Sequence, residues 1–295
     1  MPRSRHISPC LLLPTDFQQP ARRAFKYGLA VARLLQTRLK LLHVIKLPSD
    51  DEDLPPDTRY ARMMRTSALL ELGRLARLAK DAGVEAEPIV DFGVPDECIL
   101  RRLRQERAKL LVMGTEGRTG WDRLRLGSTA QMLVRRADCP VLAVHGGVAG
   151  DAVRQPARVK LSRIVLGTDF SSCARQAQRV VSRLAQLTDA RVLVVHAHSM
   201  EDDIQHGRRR LDRLIQALRD RGVQAEGICR VGHPVETIVE EAGRWEADIV
   251  VVGTQGRRGL SRLLLGSVAE GVLRRAGCPV LVVRSADTLL NEGDR

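Results

Sequence analysis

The sequence predicts an α/β protein of two tandem domains, each a five-stranded parallel sheet of strand order 3-2-1-4-5 between helices. Two observations carry this reading. The first is self-similarity: "CLLLPTDFQQPARRAFKYGLAVARLLQTRLKLLHVI" matches "RIVLGTDFSSCARQAQRVVSRLAQLTDARVLVVHAH", "VDFGVPDECILRRL" matches "CRVGHPVETIVEEA", and "ADCPVLAV" matches "AGCPVLVV". The second is alternation: short apolar runs take turns with longer amphipathic stretches, as in a parallel sheet covered on both faces. A chain of 295 residues suffices for about two domains.

In the first copy the expected strands are "CLLLP", "LKLLHVI", "AEPIVDF", "LLVMG" and "PVLAVH". The helices between them are "QQPARRAFKYGLAVARLLQ", "TRYARMMRTSALLELGRLARLAKDAG", "DECILRRLRQER" and "TAQMLVRRA". Asp16 and Asp169 stand 153 positions apart, but Gly114 and Gly253 only 139. The first copy therefore carries extra residues, which fall in the acidic, proline-containing "KLPSDDEDLPPDTRY", read as a surface loop. "GGVAGDAVRQPARVK" reads as a linker. The expected organisation is domain 1 over 1–148, linker 149–160, domain 2 over 161–285 and a tail over 286–295.

Composition narrows the function classes. Hydrophobic content is 44% and aromatic content 3%, so the cores must rest on Leu, Val, Ile and Ala. No apolar run approaches the ~20 residues of a membrane span, and the first residues lack the apolar core of a signal peptide. A cytoplasmic protein without membrane partners is expected. The six cysteines lie far apart with no CxxC pair, which suits small buried side chains better than disulfides or metal ligands. A net charge of +13 suits a polyanionic partner, yet the basic residues are interleaved with Asp and Glu over nearly every helix. Stacking aromatics and reader motifs are missing, so nucleic-acid binding is not expected.

The chemistry concentrates in "GTEGRTGWDRLRLGSTAQ" and "GTQGRRGLSRLLLGSVAE". Both have the form Gly-x2-Gly-x9-Gly-Ser: Gly114, Gly117, Gly127 and Ser128, then Gly253, Gly256, Gly266 and Ser267. A glycine leaving the fourth strand admits a ligand against bare backbone. The closing Gly-Ser opens a helix, with the serine as the expected N-cap, and free N–H groups there favour an anion such as phosphate. Arg118, Arg257 and Arg258 can reach outer phosphate oxygens. The spacing is neither a P-loop nor a dinucleotide fingerprint. Thr15-Asp16 and Thr168-Asp169 end the first strands, beside the fourth. An aspartate there caps the next helix, accepts from a ribose or adenine group, or does both. His43 and His196, at matching places in the second strands, read as structural histidines beside that site, and His233 as a helix-entry residue matching Val94. Trp121 stands on the glycine loop, as a local packing residue or a contact surface.

With "PTD" or "GTD", the full glycine motif and the closing "CPVLAV" and "CPVLVV" in this order, the chain resembles a tandem universal stress protein over nearly its whole length. The resemblance implies Rossmann-like domains, and the family's ATP-binding branch uses this motif for ribose and phosphates. The implied cofactor is ATP, with or without Mg2+. Carried over, the first site is Pro14, Thr15, Asp16, Val44, Met113, Gly114, Gly117, Arg118, Gly127 and Ser128. The second is Gly167, Thr168, Asp169, Ala197, Val252, Gly253, Gly256, Arg257, Gly266 and Ser267. Val44 and Ala197 would line the adenine pocket. The sequence departs from the family in Glu116 and Gln255, where a histidine is common. The resemblance also implies fifth strands that pair between domains or subunits, hence an internal pseudo-dimer or a homodimer. The expected function is a nucleotide-binding stress-response regulator acting through protein partners. A slow ATP hydrolase or nucleotidyl-transfer enzyme using the same pocket, and a charge-driven nucleic-acid/protein interaction module, are the alternatives.

Overall fold

The computed structural model describes residues 9–46, 58–115, 126–145, 159, 161–198, 204–254 and 265–284. Two compact units emerge: the first holds the described residues to 115 and 127–138, the second 139–145 and 161 onward.

The first unit runs β1 (Cys10–Pro14), α1 (Gln19–Leu34), β2 (Arg38–Ile45), α2 (Arg59–Asp81), β3 (Ala86–Phe92), α3 (Pro95–Gln105), β4 (Leu110–Gly114) and α4 (Ser128–Arg136). Its strands lie in the order β3-β2-β1-β4 and pair in parallel. Leu11, Leu12, Leu13, Leu39, Leu41, Leu42 and Leu111 are each at most 1% exposed, which is why these strands read as unbroken apolar runs. The helices cover them by stripes: α2 buries Ala61, Ala68, Leu72 and Ala79, four or seven residues apart. It starts where the Thr58 hydroxyl accepts from the Ala61 N–H (3.1 Å) and ends before Gly83, whose φ of +77° closes the turn.

The second unit opens with β5 (Val141–Val144), then β6 (Arg163–Gly167), α5 (Ser172–Thr188), β7 (Arg191–His198), α6 (Ile204–Arg219), β8 (Ala225–Val231), α7 (Pro234–Arg244), β9 (Ile249–Gly253), α8 (Ser267–Arg275) and β10 (Val280–Val283). Its order is β5-β10-β9-β6-β7-β8. Read from β8, the second repeat gives the expected 3-2-1-4-5. All pairings are parallel except β5 with β10, where Leu142 opposes Leu281. The fifth strands are therefore paired, and Val141 to Val144 and Val280 to Val283 are at most 3% exposed. Arg104–Asp138 in the first unit and Arg163–Glu246 in the second are exposed ion pairs, of a kind that adds about 0–1 kcal/mol each.

The cysteines mostly pack as small hydrophobes: Cys10, Cys98, Cys139 and Cys173 are buried, Cys229 and Cys278 half-buried, and none of the six forms a disulfide. No helix among the described residues is long and apolar enough to cross a membrane. The acidic stretch 47–57 and most of the linker and tail lie outside the described residues.

Candidate nucleotide site

The first site forms where β1 and β4 end side by side. The pairing Leu11↔Leu110 and Leu12↔Leu111 fixes that neighbourhood, at the carboxyl end of the sheet where α/β proteins bind ligands. After β1 the chain turns sharply. Thr15 N–H still donates to Leu42 O (2.8 Å), while the Thr15 hydroxyl accepts from Phe17 N–H (3.0 Å). The Asp16 carboxylate accepts from Gln18 N–H (3.0 Å). Phe17 takes a φ of +65°, unusual for a side chain this large, and the local bonds hold it there.

The second site repeats this atom by atom. Thr168 N–H donates to Val195 O (3.0 Å), its hydroxyl accepts from Phe170 N–H (3.0 Å), and Asp169 accepts from Ser171 N–H (3.0 Å). Phe170 has φ +61°. In both copies the aspartate therefore closes a turn ahead of the helix and is not its N-cap. Those caps are Gln18, which makes no side-chain capping bond, and Ser171, whose hydroxyl accepts from Ala174 N–H (3.3 Å).

The histidines brace these turns. His43 Nδ1 lies 2.7 Å from Thr15 O, and His196 Nδ1 lies 2.8 Å from Thr168 O. A carbonyl only accepts, so Nδ1 carries the proton in each ring. Phe17 stacks on His43 at 4.5 Å and Phe170 packs on His196 at 4.6 Å, tilted by 50°. An arginine one helical turn onward grips the same loop: Arg22 Nε donates to Phe17 O (2.9 Å) and Arg175 Nη1 to Phe170 O (3.2 Å). Phe17, Phe170, Arg22 and Arg175 were not among the expected site residues. "DFQQPAR" and "DFSSCAR" held the signal, since both place an arginine five residues after the phenylalanine. The second copy adds Arg210, which lies 4.4 Å over the Phe170 ring and donates to its carbonyl (3.3 Å).

The glycine segment brings a helix to the same place. Gly127 N–H donates to Thr115 O (2.9 Å), and Gly266 N–H to Thr254 O (2.7 Å). Each bond returns the chain to the end of its fourth strand just before α4 or α8 begins. Gly114 is required by close approach: a Cβ there would lie 2.8 Å from the Pro20 carbonyl carbon, and at Gly253 2.9 Å from that of Cys173. The glycine therefore lets α1 or α5 start hard against the strand end.

The caps of α4 and α8 are Gly127 and Gly266, with no side-chain capping bond. Ser128 and Ser267 are exposed first helical residues and not the caps expected from sequence. The reason lies in the backbone: the glycines have extended ψ near 149° and 147°, and the helix starts at the serine. This leaves first-turn N–H groups without a side-chain partner, the feature that favours an anion.

Pro14, Thr15, Asp16, Gly114, Gly127 and Ser128 are thus gathered at one end of the sheet, as are Gly167, Thr168, Asp169, Gly253, Gly266 and Ser267. Val44 and Ala197 follow the histidines on the second strands and are half-buried. Met113 and Val252 are each 3% exposed, so their side chains belong chiefly to the core. Glu116, Gly117, Arg118, Trp121, Gln255, Gly256, Arg257 and Arg258 lie outside the described residues. His233 caps α7 without a side-chain bond, as Val94 caps α3, which fits its reading as a helix-entry residue.

Comparison with known proteins matches this chain to the universal stress protein family model twice, over residues 11–145 and 160–284. Universal stress protein Rv2005c of Mycobacterium tuberculosis is 30% identical over 232 residues, covering 71% of this chain and 74% of the relative. Universal stress protein Rv2623 of the same organism is 29% identical over 299 residues, covering 94% and 97%. Among solved structures, a universal stress protein from Archaeoglobus fulgidus shares the fold with a TM-score of 0.76 at 22% identity, covering 94% of this chain and 99% of that one.

Proposed function

The chain belongs to the universal stress protein family, and from that premise we propose that it binds ATP in both repeats and acts as a cytoplasmic stress-response regulator. In this reading 1–148 and 161–285 are the two nucleotide-binding domains. One observation carries the proposal. In each repeat a single backbone bond, Gly127 to Thr115 or Gly266 to Thr254, sets a helix start without a side-chain cap beside a braced Thr-Asp turn.

The donor set suits a nucleoside polyphosphate. The first-turn N–H groups of α4 and α8, with the Ser128 and Ser267 hydroxyls, would hold phosphate oxygens. The Asp16 and Asp169 carboxylates would accept from ribose or adenine donors, while Val44 and Ala197 would line the base. Bound ATP supplies a charged group whose presence partners can read. The chain's own residues orient it: His43 and His196 fix the turn carbonyls, and the arginines of α1 and α5 hold the loop shut. Gly117, Gly256, Arg118 and Arg257 would complete the phosphate contacts, with or without Mg2+.

The test uses substitutions that spare the helix. Ser128→Asp and Ser267→Asp put a carboxylate in the first turn, where it favours the helix dipole but repels phosphate. Gly114→Ala and Gly253→Ala are poorer probes, because the added methyl meets backbone. The chain is purified without added nucleotide and denatured, and released adenine nucleotide is quantified. Wild type is expected to carry it in both repeats, each single variant to lose one repeat's share, and the double variant to carry none while its circular dichroism spectrum stays that of the folded chain; its melting point falls by the stabilisation that the bound nucleotide supplied. Wild type that releases no nucleotide and binds none on titration would sink the proposal.

A further inference from the structure

Helix α2 carries a feature that neither the core nor the nucleotide site uses. Its inner face is the row Ala61, Ala68, Leu72 and Ala79. Its outer face is also apolar along one line: Tyr60 is 50% exposed, Met63 61%, Leu70 64% and Leu78 55%. With Ser67 and Arg74 these positions run 60, 63, 67, 70, 74 and 78, which alternates three and four as in a coiled-coil seam as far as Arg74 and then steps four to Leu78, so that all six share one face of the helix. Arg74 is held by Glu71 at 2.6 Å within the helix. Beside the seam, on one flank, lie the exposed cations Arg59, Arg62, Arg77 and Lys80.

The second repeat is an internal control. Buried Leu72 and Ala79 match buried Leu211 and Leu218, which aligns α2 with α6. At the described seam positions α6 then has His206, Arg209, Arg213 and Ala217 in place of Ser67, Leu70, Arg74 and Leu78. The same scaffold thus folds with a polar outer face, so the apolar seam of α2 is not a requirement of the fold.

We propose that the outer face of α2 docks an acidic amphipathic helix of a partner protein. The spacing selects a helix lying nearly along α2. The basic flank selects acidic residues beside the partner's apolar positions, where charge pairs set partner choice and orientation. A second copy of this chain fits less well. Antiparallel pairing of two α2 helices would bring Arg59 and Arg62 of one against Arg77 and Lys80 of the other, like against like. The exposed seam is also small, roughly 500 Å², within the range of functional surface patches but below the ~800 Å² per partner of a stable dimer.

The probe is a synthetic, fluorescently labelled helix with leucines at its seam and glutamates on both flanks, titrated into the full-length chain by anisotropy. A control peptide has lysines for the glutamates. The glutamate peptide is expected to bind, and the lysine peptide to bind at least about tenfold more weakly. Leu70→Arg installs the arginine that the second repeat tolerates at the same place. It should abolish binding with an unchanged circular dichroism spectrum, and Arg62→Glu/Arg77→Glu should invert the peptide preference. Equal binding of both peptides, or none, overturns the proposal. So does sedimentation showing a dimer that Leu70→Arg dissociates, which would make a second copy the occupant. Anionic phosphatidylserine vesicles captured through Leu70, without peptide binding, would assign the face to a lipid surface and overturn it equally.

Discussion

Asp91 and Cys10 show how single buried groups tie this fold to pH, in opposite directions. Asp91 is 7% exposed and accepts from Arg102 at 2.7 and 2.5 Å. Those hydrogen bonds, against the cost of burial, hold its carboxyl below the ordinary 3.8. Its contribution to stability is therefore complete above about 3.8 and is lost as pH falls through the lower folded value. Cys10 is 1% exposed, and burial pushes its thiol up from 9.0 to about 11, with Lys40 pulling partly back. The neutral thiol is the folded form, so its contribution is complete below 9.0 and lost as pH rises through about 11. Urea midpoints across pH should show both limbs. Asp91→Asn is expected to cost about 2 kcal/mol at neutral pH, with the gap to wild type closing in acid. Cys10→Ser should flatten the alkaline limb alone. None of this partnering was legible in sequence, because Asp91 and Arg102 meet only once β3 and α3 are packed.

Individual elements were more legible than their ends. "AEPIVDF" and "LLVMG" are β3 and β4 to the residue; β4 is buried along nearly its whole length and so reads as an unbroken apolar run, whereas the edge strand β3 buries only Ile89 and Asp91. Helix starts were misjudged, since a capping residue is defined by backbone conformation and several neighbours offer suitable side chains. The glycine motif was read correctly as a strand-to-helix connection, but its serine stands one place inside the helix. The cap that does carry a hydroxyl bond, Ser171, yields a prediction against its counterpart Gln18, which makes none. Ser171→Ala should lower stability by about 1 kcal/mol, whereas Gln18→Ala should change it little. Gln18→Ser should raise stability by several tenths of a kcal/mol or more by supplying the missing acceptor. Chemical denaturation of the three variants measures this. A cost for Gln18→Ala equal to that of Ser171→Ala would mean the caps are not what separates them.

At the scale of the whole chain, duplication made the fold class readable, since each repeat confirmed the other's alternation of strand and helix. β5, numbered with the first repeat, groups with the second unit through its antiparallel pairing with β10. The family resemblance implied that fifth strands pair, whereas the order of strands in the sequence does not by itself show which edge finds a partner. β10 pairs with β9 on one side; without β5 its other side, along Val280, Leu281 and Val282, would be an apolar edge open to aggregation, and β5 covers it through Val141, Leu142 and Ala143. His145 adds a side-chain contact, its Nε2 2.5 Å from Leu273 O at the end of α8. The pairing predicts a distant effect of one residue. Leu142→Pro removes a donor from β5 and cannot sit within a paired strand. Hydrogen exchange on the full-length variant should show lost protection in the β10 amides that face β5. The β6 amides Ile164, Val165 and Leu166, paired on both sides by β7 and β9, should keep theirs. A β10 that stays protected in the variant would mean its edge does not depend on β5; loss throughout β6 to β10 would mean that β5 is an integral part of the second unit's cooperative core and not only its cover.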